Sequence, residues 1–187
     1  MDCYLTHRLK GLACNMALHN NEDSYKQLFQ LLFTSLFRLS FAMLKNREQA
    51  EEIASDVMFR LWQNRIELSE IDNIKVYALT IARNMSLNLL KVNRRVKIIS
   101  VDDIHLEKTD TDLAPDQILI NHQTQQLLLE SILALPTRCK IVFKLIKEEG
   151  LSYKEVAEVL HISPKTVDAH LVTAMKKLSE ALKLKNV

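Results

Sequence analysis

Turn-forming residues are scarce: the 187 residues contain two glycines, Gly11 and Gly150, and three prolines, Pro115, Pro136 and Pro164. Sandwiches and barrels need turn signals roughly every 8–12 positions, so this chain lacks the punctuation for an all-β fold. Its apolar residues instead follow helical spacing. Tyr25, Leu28, Phe29, Leu32 and Leu36 recur three and four residues apart and predict a helix from Ser24 to about Leu44. Asn46, with Gln49 three residues on, offers an N-cap to a second helix, whose inward stripe is Ala50, Ile53, Val57 and Leu61. Residues 64–72 are polar and read as a loop. Asn73 then caps a third helix with Ile74, Tyr77, Ala78, Ile81, Met85 and Leu89 inward. The expected fold class is all-α.

Helical periodicity fades over residues 97–117, where Asp102, Asp103, Glu107, Asp110 and Asp112 dominate, and this stretch is expected to be a solvated linker. It carries two basic and six acidic residues if extended to Ile120, between a segment of 13 basic and 10 acidic residues and one of 10 and 7. The expected organisation is an N-terminal extension over 1–23, a helical domain over 24–96, the acidic linker, and a second helical domain over 118–187. In the second domain a helix over 118–133 stops near Pro136, and another runs from Arg138 to Glu148 before Gly150, suited to a left-handed C′ position. Ser152 and Glu155 form an S-x-x-E capping box, and His161-Ile162-Ser163 make a three-residue turn. Ser163 caps a last helix with Pro164 at its first position, where no amide hydrogen is needed. Val167, Leu171, Ala174 and Leu178 point that helix inward. Two capped helices across a short turn form a helix-turn-helix.

Several function classes are excluded. The longest apolar stretches are interrupted every few residues, so no segment is expected to cross a membrane, and a cytoplasmic location follows. Cys3, Cys14 and Cys139 are odd in number and widely spaced, which fits free thiols. Four ligands with paired metal spacing are missing, so no metal is expected. No glycine-rich phosphate loop, nucleophile with base spacing or carboxylate pair stands out, so neither an enzyme nor a cofactor is expected.

The last helix carries short residues early and cations late, the order a groove-reading helix needs. Thr166, Ala169, His170 and Thr173 can meet base edges, while Lys165, Lys176 and Lys177 can hold phosphates. A dimeric repressor would share this lobe, but has no use for the blocks upstream.

Those blocks carry a family resemblance over nearly the whole chain from Ser24. Residues 50–62, AEEIASDVMFRLW, resemble the polymerase-binding helix of the extracytoplasmic-function sigma factors, small two-domain members of the sigma-70 family. Residues 77–84, YALTIARN, resemble the start of that family's helix for the upstream edge of the promoter bubble. Residues 135–143, LPTRCKIVF, and 150–157, GLSYKEVA, are similar to the opening of its region four. The resemblance implies region 2 over 24–96 and region 4 over 118–187. It implies recruitment of core RNA polymerase to promoter DNA, with assistance in opening the duplex. Glu51, Glu52, Asp56, Arg60 and Gln63 would form the charged docking face for polymerase. Arg83, Asn84, Asn88, Lys91, Arg94 and Arg95 would hold DNA at the minus-ten element, and loop 64–72 would capture an unstacked base. Lys165, Thr166, Ala169, His170, Thr173, Lys176 and Lys177 would contact the minus-thirty-five element. The linker would thread a basic polymerase channel or act as a plain tether, and an anti-sigma factor would be a further partner.

Some features depart from the family pattern or fall outside it. Asn88 stands where Asp is commoner, Lys91 where Arg is, His161 where glycine is usual, and Asp168 where a base is usual. Trp62 ends an apolar stripe, which favours a packing role over base stacking. Residues 1–23 match nothing and Met16 lies near the start of the resemblance, so either an upstream start assignment or a dispensable extension is expected.

Overall fold

A computed structural model describes the backbone of residues 2–99 and 130–183, with side chains from 4–93 and 130–181. These residues form helices α1 (Asp2–His19), α2 (Glu22–Leu44), α3 (Arg47–Gln63), α4 (Arg65–Leu68), α5 (Ile74–Ile99), α6 (Thr137–Lys147), α7 (Tyr153–Leu160) and α8 (Pro164–Lys183), with a short helical turn at 130–133. No strand occurs among the described residues. The linker from residue 100, and residues 118–129 of the next expected helix, lie outside them; α5 itself continues to Ile99, into the stretch expected to be linker.

Caps set the element boundaries. The Asn21 carboxamide accepts from the Asp23 and Ser24 amides and starts α2 two residues earlier than periodicity indicates. Asn46 accepts from the Gln49 amide to start α3, and Asn73 accepts from the Val76 amide at 3.2 Å to start α5. The Ser152 and Glu155 capping box is closed in both directions. Each such cap satisfies amides the helix cannot.

Helices α2, α3 and α5 form a bundle around Leu28, Leu32, Leu36, Ile53, Val57, Met58, Leu61, Leu79 and Ala82, all at most 4 % exposed. Helix α2 runs through its centre. At 23 residues, with a mean hydropathy of 1.3 over its most apolar window, α2 is long and apolar enough to cross a membrane. The expectation that no segment meets that measure is corrected. Its apolarity has a packing explanation, since it lies against α1, α3, α5 and α6.

Two further expectations change. Residues 1–23 are not a loose extension: α1 packs against α2, α4 and α5, and Leu9, Leu12, Ala13 and Met16 lie in the core. Residues 64–72 are not a plain polar loop: α4 buries Leu68 to 1 % exposure, and α1 clasps the segment. Lys10 pairs with Asp72 at 2.6 Å, and Arg65 donates to the Asn20 side chain at 2.6 Å.

In the C-terminal part, α6, α7 and α8 pack on one another, with Val156, Val159, Val167 and Ala174 fully buried. This trio also rests on the first bundle, through α2 against α6 and α5 against α7. Ile141, Val142, Leu145, Leu151 and Val156 belong to the same apolar cluster as Leu36 and Leu79. The two helical lobes share one continuous core.

Beginning the chain at Met16 removes Leu9, Leu12 and Ala13 from that core. Even Leu9→Ala is expected to cost about 2–5 kcal/mol, lowering the thermal midpoint by roughly 5–15 °C in a melt followed by circular dichroism.

Candidate polymerase and nucleic-acid interfaces

Helix α3 buries Ala50, Ile53, Ala54, Val57, Met58 and Leu61, which turns the opposite face outward. Glu52, Asp56, Arg60 and Gln63 are exposed there, and half-buried Glu51 accepts from Arg47 at 2.9 Å. Periodicity did not single out Phe59, which stands among these charges at 56 % exposure; Ile66 of α4, beyond the end of α3, is 71 % exposed. A hydrophobic ring inside a charged rim is a common anchor at protein interfaces. Trp62 is half-buried against Tyr25, ring centroids 5.2 Å apart, with the Arg65 guanidinium 5.0 Å from its ring centre. Its packing role holds.

Along α5, Ala78, Leu79, Ala82 and Ser86 are buried, so Asn84, Asn88 and Lys91 share an exposed face. Arg83 departs from them. It is half-buried, donates to the Leu160 carbonyl at 3.1 Å and to the Asn84 side chain at 2.8 Å, and burial lowers its pKa. The side chains of Arg94 and Arg95 lie outside the described residues.

On α8 the expected residues divide between two stripes. Lys165, Ala169 and Lys176 are exposed on the outer one, joined by Asp168 and by Val172 at 59 % exposure. Val172 follows the core residue Leu171 directly in sequence, and its apolar character alone does not mark it as exposed. Thr166, His170, Thr173 and Lys177 form the adjacent stripe, and its first two members turn inward. The Thr166 hydroxyl meets that of Ser163 at 2.8 Å, and His170 Nδ1 lies 3.8 Å from Cys139 Sγ on α6. The Thr173 hydroxyl donates back to the Ala169 carbonyl.

The turn between α7 and α8 is held at His161, with φ 51° and ψ 50°, the left-handed conformation in which glycine is unstrained. His161, Arg83, Thr166 and His170 line a single cleft of about 530 Å³ between the lobes, floored by Leu87, Leu90, Ile141 and Val142. Arg138 lines it beside Arg83, and elsewhere on α6 Lys140 has its pKa lowered by burial and by repulsion from Lys45 and Lys144. The cleft is therefore apolar at its floor and basic at its edge.

Residues 25–96 match the family described as sigma-70 region 2, and residues 125–178 match sigma-70 region 4. The chain belongs to the sigma-70 family, in its extracytoplasmic-function branch. It is 21 % identical over 168 residues to the extracytoplasmic-function sigma factor SigX of Bacillus subtilis, covering 87 % of this chain and 86 % of that one. It is 25 % identical over 160 residues to the RNA polymerase sigma factor YlaC of the same organism, covering 85 % and 90 %. The fold is also that of the sigma factor RpoE of Bartonella quintana in complex with the anti-sigma factor NepR, at TM-score 0.68 and 20 % identity over 85 % of this chain and 96 % of that one. As a sigma factor, the chain directs RNA polymerase to promoters in transcription initiation.

Family glycine at the turn would relieve the strain that His161 carries. His161→Gly is expected to raise stability by up to about 1 kcal/mol, seen as a higher urea midpoint with unchanged slope.

Proposed function

We propose that the outer face of α3 docks on core RNA polymerase, that the exposed face of α5 holds the minus-ten edge of the bubble, and that α8 enters the major groove at the minus-thirty-five element. The observation that supports this most is the grouping of charge and exposure by helix face. Glu52, Asp56, Arg60 and Gln63 share one surface, Asn84, Asn88 and Lys91 a second, and Lys165, Ala169, Thr173, Lys176 and Lys177 a third. Phe59 is the apolar anchor of the first, and the charges around it steer and register the encounter. On the second, the asparagine amides suit base edges, while Lys91, Arg94 and Arg95 suit phosphates. On the third, Ala169 and Val172 present methyl groups suited to a thymine methyl, and the lysines hold the backbone. Asp168 disfavours phosphate and suits a cytosine amino group.

Region 2 over 24–96, the linker over 97–117 and region 4 over 118–187 divide this labour, with polymerase aligning two anchors on one promoter. Helix α1 belongs with region 2 as a brace, since it carries core residues and clasps the segment proposed to capture a base. The chain acts by recruitment and carries out no catalysis of its own; its place of work is the cytoplasm. An anti-sigma factor is a further partner, supported by the likeness to RpoE, whose structure is that of a complex with NepR.

Run-off transcription with bacterial core polymerase tests the whole reading: promoter-dependent transcripts across genomic fragments are expected only when the chain is added. Tight binding of a palindromic duplex by the chain alone, with no such transcript, would favour a repressor instead. Glu52→Ala with Asp56→Ala, and separately Phe59→Ala, are expected to weaken core binding about tenfold or more, the ~1–2 kcal/mol of an interface anchor. Lys176→Ala with Lys177→Ala should leave core binding intact and reduce the salt dependence of holoenzyme–promoter binding, by a slope of about one for each phosphate that is no longer held. Equal loss of polymerase binding by both sets would overturn the assignment of faces.

A further inference from the structure

Glu149, just after α6, carries a nearly buried carboxylate. Its side chain is 7 % exposed, and three polar side chains of the other lobe, Lys75, Ser35 and Arg38, reach its carboxylate. The Lys75 ammonium of α5, itself 12 % exposed, lies 2.9 Å from one carboxylate oxygen and also donates to the Glu149 backbone carbonyl at 2.8 Å. The Ser35 hydroxyl of α2 donates to the same carboxylate, and Arg38 stands 3.9 Å from its second oxygen. Two more contacts cross the junction. The Asn73 amide donates to Glu155 at 2.6 Å while Glu155 closes the cap of α7, and Arg83 donates to the Leu160 carbonyl at the helix-turn-helix turn.

We propose that Glu149 is the pin of an intramolecular latch that holds the two lobes closed and keeps the free chain unable to use its promoter-reading surfaces together. The proposal rests on the assignment of the DNA faces given above. Arg83 of the minus-ten set is occupied by Leu160, and Thr166 and His170 of the minus-thirty-five set face the same inter-lobe cleft. A cleft of about 530 Å³ has the volume of a small-molecule site and cannot admit a duplex. Elements centred ten and thirty-five pairs upstream lie roughly 80 Å apart at ~3.4 Å per base pair. A compact chain of this length has a radius of gyration of only roughly 16 Å, so closed lobes cannot reach both.

The chemistry of the pin suits a latch. A buried ion pair adds little to stability over apolar packing, but losing one partner strands the other charge in a dry junction. Glu149 therefore specifies one closed register, and separation of the lobes returns Glu149 and Lys75 to water together. Any partner that engages the separated lobes, core polymerase foremost, must work against the closed population. Its apparent affinity is reduced by the fraction of chain that is open.

Small-angle scattering of the full chain, free of polymerase, tests the latch with Glu149→Lys, Lys75→Glu and the two combined. The wild type is expected to be compact, and each folded single variant to rise clearly above the roughly 16 Å of the compact chain as the lobes separate. The combined charge swap should close the molecule again. Circular dichroism identifies variants that keep the helical content of the wild type, and those alone are compared. An extended wild type, a folded single variant that stays compact, or a folded swap that stays extended would overturn the proposal. Run-off transcription with core polymerase is measured in parallel. Failure of the wild type there counts against the proposed function and leaves the scattering result for the latch unchanged.

Discussion

The apolar cluster that runs from Leu28 and Leu36 of α2 through Leu79 of α5 to Val142 and Val156 of the helix-turn-helix lobe sets the geometry of everything outside it. Helices that share one core cannot rotate independently, because an interior packed to crystal-like density has no slack for sliding. The faces turned away from this cluster are therefore defined together. The charged outer side of α3, the exposed asparagines of α5 and the lysine stripe of α8 are all complements of one packing solution. Glu149 stands where the cluster passes from one lobe to the other. The junction combines non-directional apolar contact with a directional ionic contact.

That combination matters for a recruitment factor. The shared core fixes how the lobes pack, and a carboxylate met by Lys75, Ser35 and Arg38 adds a directional ionic contact at the same junction. The surfaces proposed to recognise a promoter are partly engaged by the chain itself: Arg83 caps the end of α7, and His170 lies by Cys139.

Much was legible from residue order because helix caps and helix periodicity are local. Asn46, Ser152 with Glu155, and Ser163 announced their helices, and the structure uses each in the expected way. Gly150 and His161 take the left-handed conformations that helix ends require. What escaped was non-local. Leu9, Leu12, Ala13 and Met16 of α1 keep helical spacing, but spacing does not say what they pack on, and their burial follows only when α2, α4 and α5 surround them. Leu68 sat in a polar run and gave no periodic signal. Phe59 and Val172 are apolar residues that the fold leaves in solvent, a choice that spacing alone does not reveal.

The sequence by itself determined the all-helical class, the starts of α2, α3, α5, α6, α7 and α8 to within two residues, the helix-turn-helix and, through three ordered blocks, membership of the sigma-70 family. These follow from interactions within a few residues along the chain: caps, turns and the 3.6-residue repeat. Only the tertiary structure decided which members of each recognition set stand free and which turn inward, and that two lobes separated by an acidic stretch close on Glu149. Those outcomes depend on contacts between residues more than seventy positions apart, such as Lys75 with Glu149 and Arg83 with Leu160. No local pattern encodes them, because the partners are chosen by the shape of the packed core.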